Sequence, residues 1–244
     1  CIAPYLIYSI PTGQFHPIGF VLLFAIASAL YGWYRILPVR PVTDLIFLVF
    51  AAGVYLSKVF DTIYTSPIEK LSVLGHLMLV HASVSALLAI RGNVNAEFRF
   101  LPTRREWLIG LRWFAVLVPA SGIALWSVNL ARFRPHPHNL AIAIGEFLGI
   151  LWLVALSEEF VFRGLLQQWI EIWTGKPVIA LLLASFCFGC AHLAFHHIFP
   201  NWRFAIVAAV FGLCCGLSWR ESRSVQASMV THALGATLYR VFFQ

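Results

Sequence analysis

The stretch Ser157-Glu158-Glu159-Phe160-Val161-Phe162-Arg163-Gly164 places two adjacent carboxylates and a guanidinium inside an apolar segment that runs from about residue 140 to 173. A charge in a bilayer costs a few kcal/mol or more, so charges at this depth mark a functional site by default. On a helix, Glu159 and Arg163 lie four positions apart and can form an ion pair. Glu158 projects about 100° away from Glu159 and can face another group. A purely structural ion pair between two helices is the alternative, but it leaves Glu158 without a use.

The composition indicates a helical membrane protein. Of the 244 residues, 60% are hydrophobic and 11% are charged, and the mean hydropathy is +0.82. The apolar runs are continuous rather than alternating, which favours transmembrane helices over the strands of a barrel. The net charge of +7 comes from basic residues between these runs. We expect them to contact anionic headgroups and set the topology rather than bind nucleic acid.

The sequence predicts an all-α fold, a polytopic transmembrane helical bundle of about eight spans that forms one integrated membrane domain. Residues 1–16 are too short and too proline-rich to span, and they read as an interfacial lead-in. The predicted spans cover residues 17–37, 42–59, 71–90, 107–130, 139–173, 178–199, 204–219 and 224–243. The odd-numbered connectors carry nine lysines and arginines against five in the even-numbered ones. This excess predicts that the odd connectors are cytoplasmic and both termini lie outside.

Two later spans carry a polar group that the apolar pattern does not explain. His192 shares a helix face with Phe188, four positions earlier in the sixth span, and His232 lies in the eighth span. Both histidines fall within the hydrocarbon zone at depths compatible with that of Glu158. We therefore expect the side chains of Glu158, His192 and His232 to lie within roughly 8 Å of one another, directly or through one water.

Three other pairs of potential ligands are present: Cys187 with Cys190, His76 with His81, and His136 with His138. The cysteine pair has no second pair to complete a metal site, and cysteine in a span behaves as a small apolar residue. His76 and His81 are five positions apart and do not share a helix face, so they are predicted to form interhelical hydrogen bonds. The last pair lies in a proline-containing segment, which we interpret as an ordinary polar loop.

The combination of a glutamate with histidines on separate helices is typical of hydrolysis. A glutamate can activate a water directly as a general base or on a bound metal. A second histidine can donate to the oxyanion that forms during amide hydrolysis. The sequence contains neither a Gly-x-Ser-x-Gly nor a His-Glu-x-x-His motif. It therefore favours an intramembrane peptidase outside the serine and zincin types.

Three motifs in order, Glu158-Glu159-x-x-x-Arg163, Phe188-x-x-x-His192 and His232, resemble the CAAX-protease and bacteriocin-processing family, also called the CPBP or ABI family. The resemblance covers roughly residues 140–243. It implies a CAAX-protease-like catalytic core over residues 140–244, preceded by generic transmembrane helices over residues 1–139. The chain also resembles the CAAX-protease-related subgroup that accompanies bacterial exosortase systems, which implies a multi-pass protein of the bacterial inner (plasma) membrane.

The resemblance also implies a role for each motif residue. Glu158 is similar to the water-activating glutamate, and His192 is similar to the residue that helps to hold that water. Glu159 and Arg163 resemble a supporting pair, and His232 resembles the oxyanion-side histidine. The implied function is an intramembrane endopeptidase that hydrolyses a peptide bond of a membrane-associated protein or peptide.

Substrate and metal contacts follow from the same resemblance. Phe188 is assigned to substrate binding. Whether the reaction uses zinc or only a glutamate-activated water is left open by the sequence. If a metal is present, the expected ligands are Glu158, His192 and His232.

One position departs from the family pattern. The third motif usually reads His-x-x-x-Asn or His-x-x-x-Asp, and this chain has Ala236 four positions after His232. The change removes a polar group that could stabilise the oxyanion, and Thr231 or Thr237 could compensate. It also keeps open a catalytically inactive member that acts as a membrane scaffold or immunity-type protein. A transporter that uses the buried carboxylates for proton coupling is a third alternative.

Overall fold

The computed structural model describes residues 2–64, 71–92, 101–130, 140–195 and 198–243. Every regular element in these ranges is a helix, which confirms the predicted all-α class. The chain forms two compact units, Cys1–Val94 and Asn95–Gln244. The sequence analysis placed the start of the catalytic core at residue 140, from the extent of the family motifs. That boundary stays a prediction.

The described part of the first unit contains α1 (Ala3–Ser9), α2 (Pro17–Ile36), α3 (Pro41–Leu56), α4 (Val59–Ile63) and α5 (Val73–Ile90). Helices α2 and α3 begin at Pro17 and Pro41. Proline suits this position because its fixed φ fits the helix and the missing N–H would have no intrahelical partner. The last turn of α5, Ala86–Ile90, is π-helical.

A buried ion pair holds the first unit together. The Arg91 guanidinium donates through Nε to Oδ1 of Asp44 at 2.8 Å and through Nη2 to Oδ2 at 2.7 Å. The Tyr34 hydroxyl donates to the same Oδ1 at 2.9 Å. The two charged side chains are only 3% and 1% exposed. This bidentate geometry ties α2, α3 and the end of α5 at one point.

His76 shows where the predicted interhelical hydrogen bonding is wrong. Its Nδ1 donates to the carbonyl of Ser72, at the start of its own helix, at 3.0 Å. Its ring instead meets other segments through edge contacts with the rings of Tyr55 and Phe60, at 5.1 and 5.0 Å between centroids. The acceptor is a carbonyl at the start of the same helix, and the aromatic neighbours contact the rest of the ring.

The described part of the second unit contains α6 (Arg104–Ser127), α7 (residues 140–174), α8 (Pro177–Ala191), α9 (Trp202–Ser222) and α10 (Val225–Phe243). Helix α7 is continuous but alternates between helix types along its length. Its segments are Leu140–Gly149 (α), Ile150–Ala155 (π), Leu156–Glu159 (α), Phe160–Gln167 (π) and Gln168–Thr174 (α). π-Helical turns are rare and often occur at functional sites. Here they flank the paired glutamates on both sides.

Helices α6 and α10 are fixed side by side at two levels. Thr103 and Glu106 form a capping box at the start of α6, in which the Glu106 carboxylate accepts from the Thr103 N–H at 2.6 Å. The same carboxylate accepts from the Ser224 hydroxyl in the turn before α10. Farther along, a Cβ on Gly110 would come within 2.6 Å of Val230, so only glycine permits this approach. The position of α10, which carries His232, is thus set by α6.

Among the described residues, four helices are long and apolar enough to cross a membrane: α2, α5, α6 and α9. Helices α3 and α8 are apolar but shorter, so the count of eight spans stays a prediction. The predicted span 178–199 is too long, because α8 ends at Ala191 and His192 is its C-cap. The His192 ring bonds a carbonyl that the helix end leaves without a backbone partner, which favours termination at this residue.

Candidate active site

The Glu159 carboxylate lies at the centre of a buried polar network. Its Oε1 is 2.7 Å from Nδ1 of His232, and its Oε2 is 3.2 Å from Nε of Arg163. Both Glu159 and Arg163 are completely buried. The predicted ion pair between them is therefore present, and the same carboxylate connects α7 to α10.

The Arg163 guanidinium extends this network to α8 and α9. Its Nη2 donates to the carbonyl of Gly212 at 2.7 Å, and its central carbon lies 4.7 Å from the ring centroid of Phe188. A Cβ on Gly212 would lie 3.2 Å from the guanidinium, so the missing side chain makes room for the charge. One turn farther along both helices, Gln167 donates to the carbonyl of Gly216 at 3.2 Å. Arg163 thus contacts two further helices, α8 and α9, in addition to its ion pair within α7.

His232 is oriented by the Glu159 carboxylate. A carboxylate only accepts hydrogen bonds, so Nδ1 of His232 carries a proton and donates it to Glu159. The other ring nitrogen, Nε2, lies 4.0 Å from Oε2 of Glu158. The fixed Nδ1 contact therefore turns Nε2 towards Glu158, as carboxylates bonded to the other ring nitrogen commonly do for functional histidines.

His192 is oriented in the same way by a backbone carbonyl. Its Nδ1 lies 2.8 Å from the carbonyl oxygen of Phe188, which can only accept, so Nδ1 carries the proton. The ring is held between aromatic neighbours, with centroid distances of 4.7 Å to Phe188 and 6.0 Å to Phe204. Nε2 of His192 is consequently the unprotonated nitrogen in the neutral ring and is available as an acceptor or ligand.

Glu158, His192 and His232 line one cavity of about 210 Å³ enclosed by α6 to α10. Much of the remaining wall is apolar, with aromatic side chains from Phe188, Phe195, Phe204, Phe211, Tyr239 and Phe243. The volume is far more than a single water needs. The Glu158 side chain is 31% exposed, and its Oε2 has no hydrogen-bond partner among the described residues. The three predicted residues thus line one cavity, and the unpartnered carboxylate oxygen of Glu158 lies near the oriented imidazole of His232.

Glu159, Cys215 and His232 form a second set of potential metal ligands, different from the predicted one. The ligand atoms of Glu159, Cys215 and His232 all lie within 4.8 Å of one another and are buried. This set does not suit a cation, because Glu159 and His232 already bond each other directly and Arg163 neutralises the carboxylate. Two imidazole Nε2 atoms and a free carboxylate, from His192, His232 and Glu158, are the donor types that zinc prefers. The predicted set has the donor types that zinc prefers, but among the described residues its ligand atoms do not form a group within 4.8 Å of one another, and a cofactor is not established.

This chain has Ala236 where the family pattern places Asn or Asp, and neither Thr231 nor Thr237 replaces that polar side chain in the cavity. Ala236 lines the cavity, as the sequence pattern implied. The Thr231 hydroxyl lies 3.1 Å from the carbonyl of Gly110, and the Thr237 hydroxyl donates to the carbonyl of Ala233 at 2.7 Å. Neither threonine lines the cavity. The expected compensation is wrong because a helix-borne hydroxyl satisfies itself on nearby carbonyls.

Several components of the cavity were not predicted from the sequence. Phe204 and Phe211 come from α9, to which the sequence assigned no site residue, although their spacing places them on one helix face. Arg240, near the end of α10, also lines the cavity. Cys187 and Cys190 are free thiols that lie outside the cavity wall. The loop histidines at positions 136 and 138 lie outside the described residues.

Comparison with known proteins connects this site to a family. The family model described as Type II CAAX prenyl endopeptidase Rce1-like matches residues 140–238. The matched range contains all three motifs and confirms the resemblance to the CAAX-protease family. No curated protein and no solved structure matches the chain. The apolar helices indicate a multi-pass integral membrane protein, and residues 140–238 are similar to a family of proteases.

Proposed function

We propose that the CAAX-protease-family domain at residues 140–238 makes this protein an intramembrane endopeptidase that uses Glu158 to activate a water. One observation carries the proposal. The Glu158 side chain, 31% exposed, lines a cavity that also contains His192, and its buried Oε2, without a hydrogen-bond partner among the described residues, lies 4.0 Å from Nε2 of His232. A general base needs a free lone pair and fixed neighbours beside a space that water can enter.

The two acceptors beside the cavity can hold one water in an attacking position. A water has two O–H groups, and it can donate one to Glu158 and the other to Nε2 of His192. Its lone pair is then free to attack the scissile carbonyl carbon. Glu158 takes the proton as the C–O bond forms, and it later returns that proton to the leaving nitrogen when the C–N bond breaks.

His232 supplies the donor for the oxyanion when both of its ring nitrogens carry protons. In that form its ring lies between the carboxylates of Glu158 and Glu159. Nε2–H of His232 can then donate to the carbonyl oxygen as negative charge develops on it. Fixed donors of this kind contribute most in a site that excludes water.

Zinc would be held in this cavity by Glu158, His192 and His232. When bound there, it would supply Lewis-acid polarisation of the scissile carbonyl. The orientation of the two imidazoles by Glu159 and by the Phe188 carbonyl serves either form of the chemistry.

The wall of the cavity favours a membrane-associated substrate. Its aromatic side chains surround the polar groups and suit an apolar or lipid-modified segment that reaches the cavity from the bilayer. The family description names CAAX prenyl endopeptidases, and a prenyl group is a lipid modification. We propose the bacterial inner membrane as the location, following the subgroup that the motifs resemble.

Hydrolysis by a free water can be tested with isotopes. The purified protein in proteoliposomes is incubated with a library of apolar membrane peptides in H₂¹⁸O, and the fragments are analysed by mass spectrometry. The proposal expects cleavage with one ¹⁸O in the new carboxyl group of the N-terminal fragment. Peptides that stay intact under all conditions would count against the peptidase.

A scaffold role is the second candidate, and Ala236 supports it. The cavity lacks the polar side chain that the family motif places four positions after the histidine. A scaffold needs only the folded bundle, so its cellular function would survive the loss of Glu158. A peptidase with an incomplete oxyanion site would instead be slow but would depend on Glu158.

A further inference from the structure

We propose that Arg240 binds a carboxylate of the substrate and thereby selects peptides that carry an acidic group about four residues from the scissile bond. This inference rests on the proposed function, because it takes the cavity to be a peptide site. It adds a specificity residue that none of the three motifs contains.

Arg240 lines the cavity that holds the proposed catalytic groups. It lines the same wall as Glu158 and His232 and is the one lysine or arginine among the described residues that do so. It lies in the last turn of α10, where its side chain is exposed. Most of the rest of the wall is apolar. A substrate in the cavity therefore meets polar groups at the reaction centre and a single arginine, Arg240, eight positions after His232 on α10.

Arg240 is not committed to a partner within the protein. The buried arginines, Arg91 and Arg163, each pair with a carboxylate at 3.2 Å or less. No ion pair of Arg240 occurs among the described residues. Its guanidinium is therefore available to a ligand, and guanidinium binds carboxylates through two parallel hydrogen bonds.

The spacing along α10 sets the length of peptide between the two groups. Arg240 follows His232 by eight positions, which is about 12 Å along a helix at 1.5 Å per residue. An extended peptide covers that distance with about four residues at roughly 3.3 Å each. The acidic group can be the C-terminal carboxylate of a short tail or an aspartate or glutamate side chain at that distance.

Binding can be measured without cleavage in the Glu158→Gln protein, reconstituted in phosphatidylcholine nanodiscs. The probe is a dansylated apolar octapeptide in three forms: a free C-terminal acid, a C-terminal amide, and the amide with an internal aspartate four positions from the end. We expect the acid, the aspartate peptide or both to bind about tenfold more tightly than the plain amide, a typical effect of one charge-assisted hydrogen-bonded pair. The form that binds better identifies the source of the carboxylate.

Variants at position 240 separate recognition from folding. Arg240→Gln should remove the preference while the affinity for the plain amide stays the same, and Arg240→Lys should keep part of it. Arg240→Glu should reverse the charge preference. It should bind best to the C-terminal amide peptide in which lysine replaces the aspartate. Arg203→Gln is the matched control, because Arg203 is also exposed but does not line the cavity. This control should bind all forms like the parent protein.

Equal binding of all three peptides, or an unchanged preference in Arg240→Gln, would overturn the proposal. An Arg240→Gln effect that appears only when phosphatidylglycerol is added, and that is the same for every peptide, would assign Arg240 to lipid headgroups instead. Charge-selective binding without any cleavage by the wild-type protein would refute the proposed peptidase activity but not carboxylate binding by Arg240. Cleavage without a preference for peptides that carry a carboxylate would refute only carboxylate binding by Arg240.

Discussion

Oε1 of Glu159 lies 2.7 Å from Nδ1 of His232, although the two residues are 73 positions apart in the chain. Glu159 is also paired with Arg163, so one buried carboxylate fixes both the ion pair of α7 and the ring of α10. The more exposed neighbour, Glu158, is left to face the cavity. The two adjacent glutamates therefore have different environments, one structural and electrostatic, the other open to water and substrate.

Replacing Glu159 tests its structural role. Glu159→Gln removes the charge that balances Arg163 and leaves a buried guanidinium without a counterion. Loss of one partner of a buried pair typically costs about 3–5 kcal/mol. We expect a much lower yield of folded protein and a lower Tm in detergent, measured by fluorescence-detected unfolding.

Glu171→Gln is the control for this change. Glu171 lies on the same helix as Glu159 and pairs with Arg223, which follows α9. The Glu171 and Arg223 side chains are 20% and 57% exposed. Such pairs contribute about 0–1 kcal/mol. Equal stability of the two variants would show that the Glu159 charge is not needed for the fold.

Gly212 tests the space reserved for Arg163. In Gly212→Ala, the new Cβ would lie 3.2 Å from the guanidinium and 3.3 Å from Phe188. The tight contact should displace Arg163, and through Glu159 the His232 ring, so we expect activity to fall several-fold with a modest loss of stability. Gly149→Ala is the control, since its Cβ meets nothing within 4 Å. That change should be neutral or stabilising by roughly 0.5–1 kcal/mol, and a Gly212→Ala enzyme with full activity would contradict the prediction.

The ion pair of the first unit offers a test that is independent of the active site. Asp44→Leu should destabilise that unit by about 3–5 kcal/mol, because the Arg91 guanidinium loses its bidentate carboxylate. The double change Asp44→Leu with Arg91→Met should recover much of this loss, since an apolar pair needs no counterion. Thermal unfolding of the four proteins in a double-mutant cycle measures the effect. A double variant less stable than both single ones would show that the pair is needed for more than charge compensation.

Position 236 tests the incomplete oxyanion site. Ala236→Asn restores a donor on the cavity wall next to His232, and one well-placed donor can contribute roughly 3 kcal/mol to the transition state. We expect kcat to rise by at least tenfold. Ala236→Val adds volume without a donor and should not raise kcat. An asparagine variant no faster than the valine variant would show that the donor at this position does not limit the reaction.

The sequence was sufficient to predict the helical class and the Glu159–Arg163 ion pair, because charges in an apolar run have few favourable arrangements. It also predicted that Glu158, His192 and His232 lie within roughly 8 Å of one another; all three line one cavity, and the distance stays a prediction. Their chemical roles stay predictions.

Other features depend on contacts that a linear pattern does not contain. The end of α8 at Ala191 depends on the bond between His192 and a local carbonyl, whereas hydropathy continues past it. The π-helical turns around the glutamates have no counterpart in the hydropathy pattern. Thr231 and Thr237 look like free donors in the sequence, but nearby carbonyls occupy them.

The most direct test of the account is the cleavage rate of Glu158→Gln relative to the wild-type protein, measured on the same peptide under single-turnover conditions. Glutamine keeps the size and the hydrogen-bonding reach of glutamate but is not a base, and loss of a general base lowers the rate by about 10²–10⁴-fold. Glu146→Gln, an amide on the same helix outside the cavity, should cleave at the wild-type rate. The account predicts a folded Glu158→Gln protein with that loss of rate. A folded Glu158→Gln protein that cleaves as fast as Glu146→Gln would contradict it.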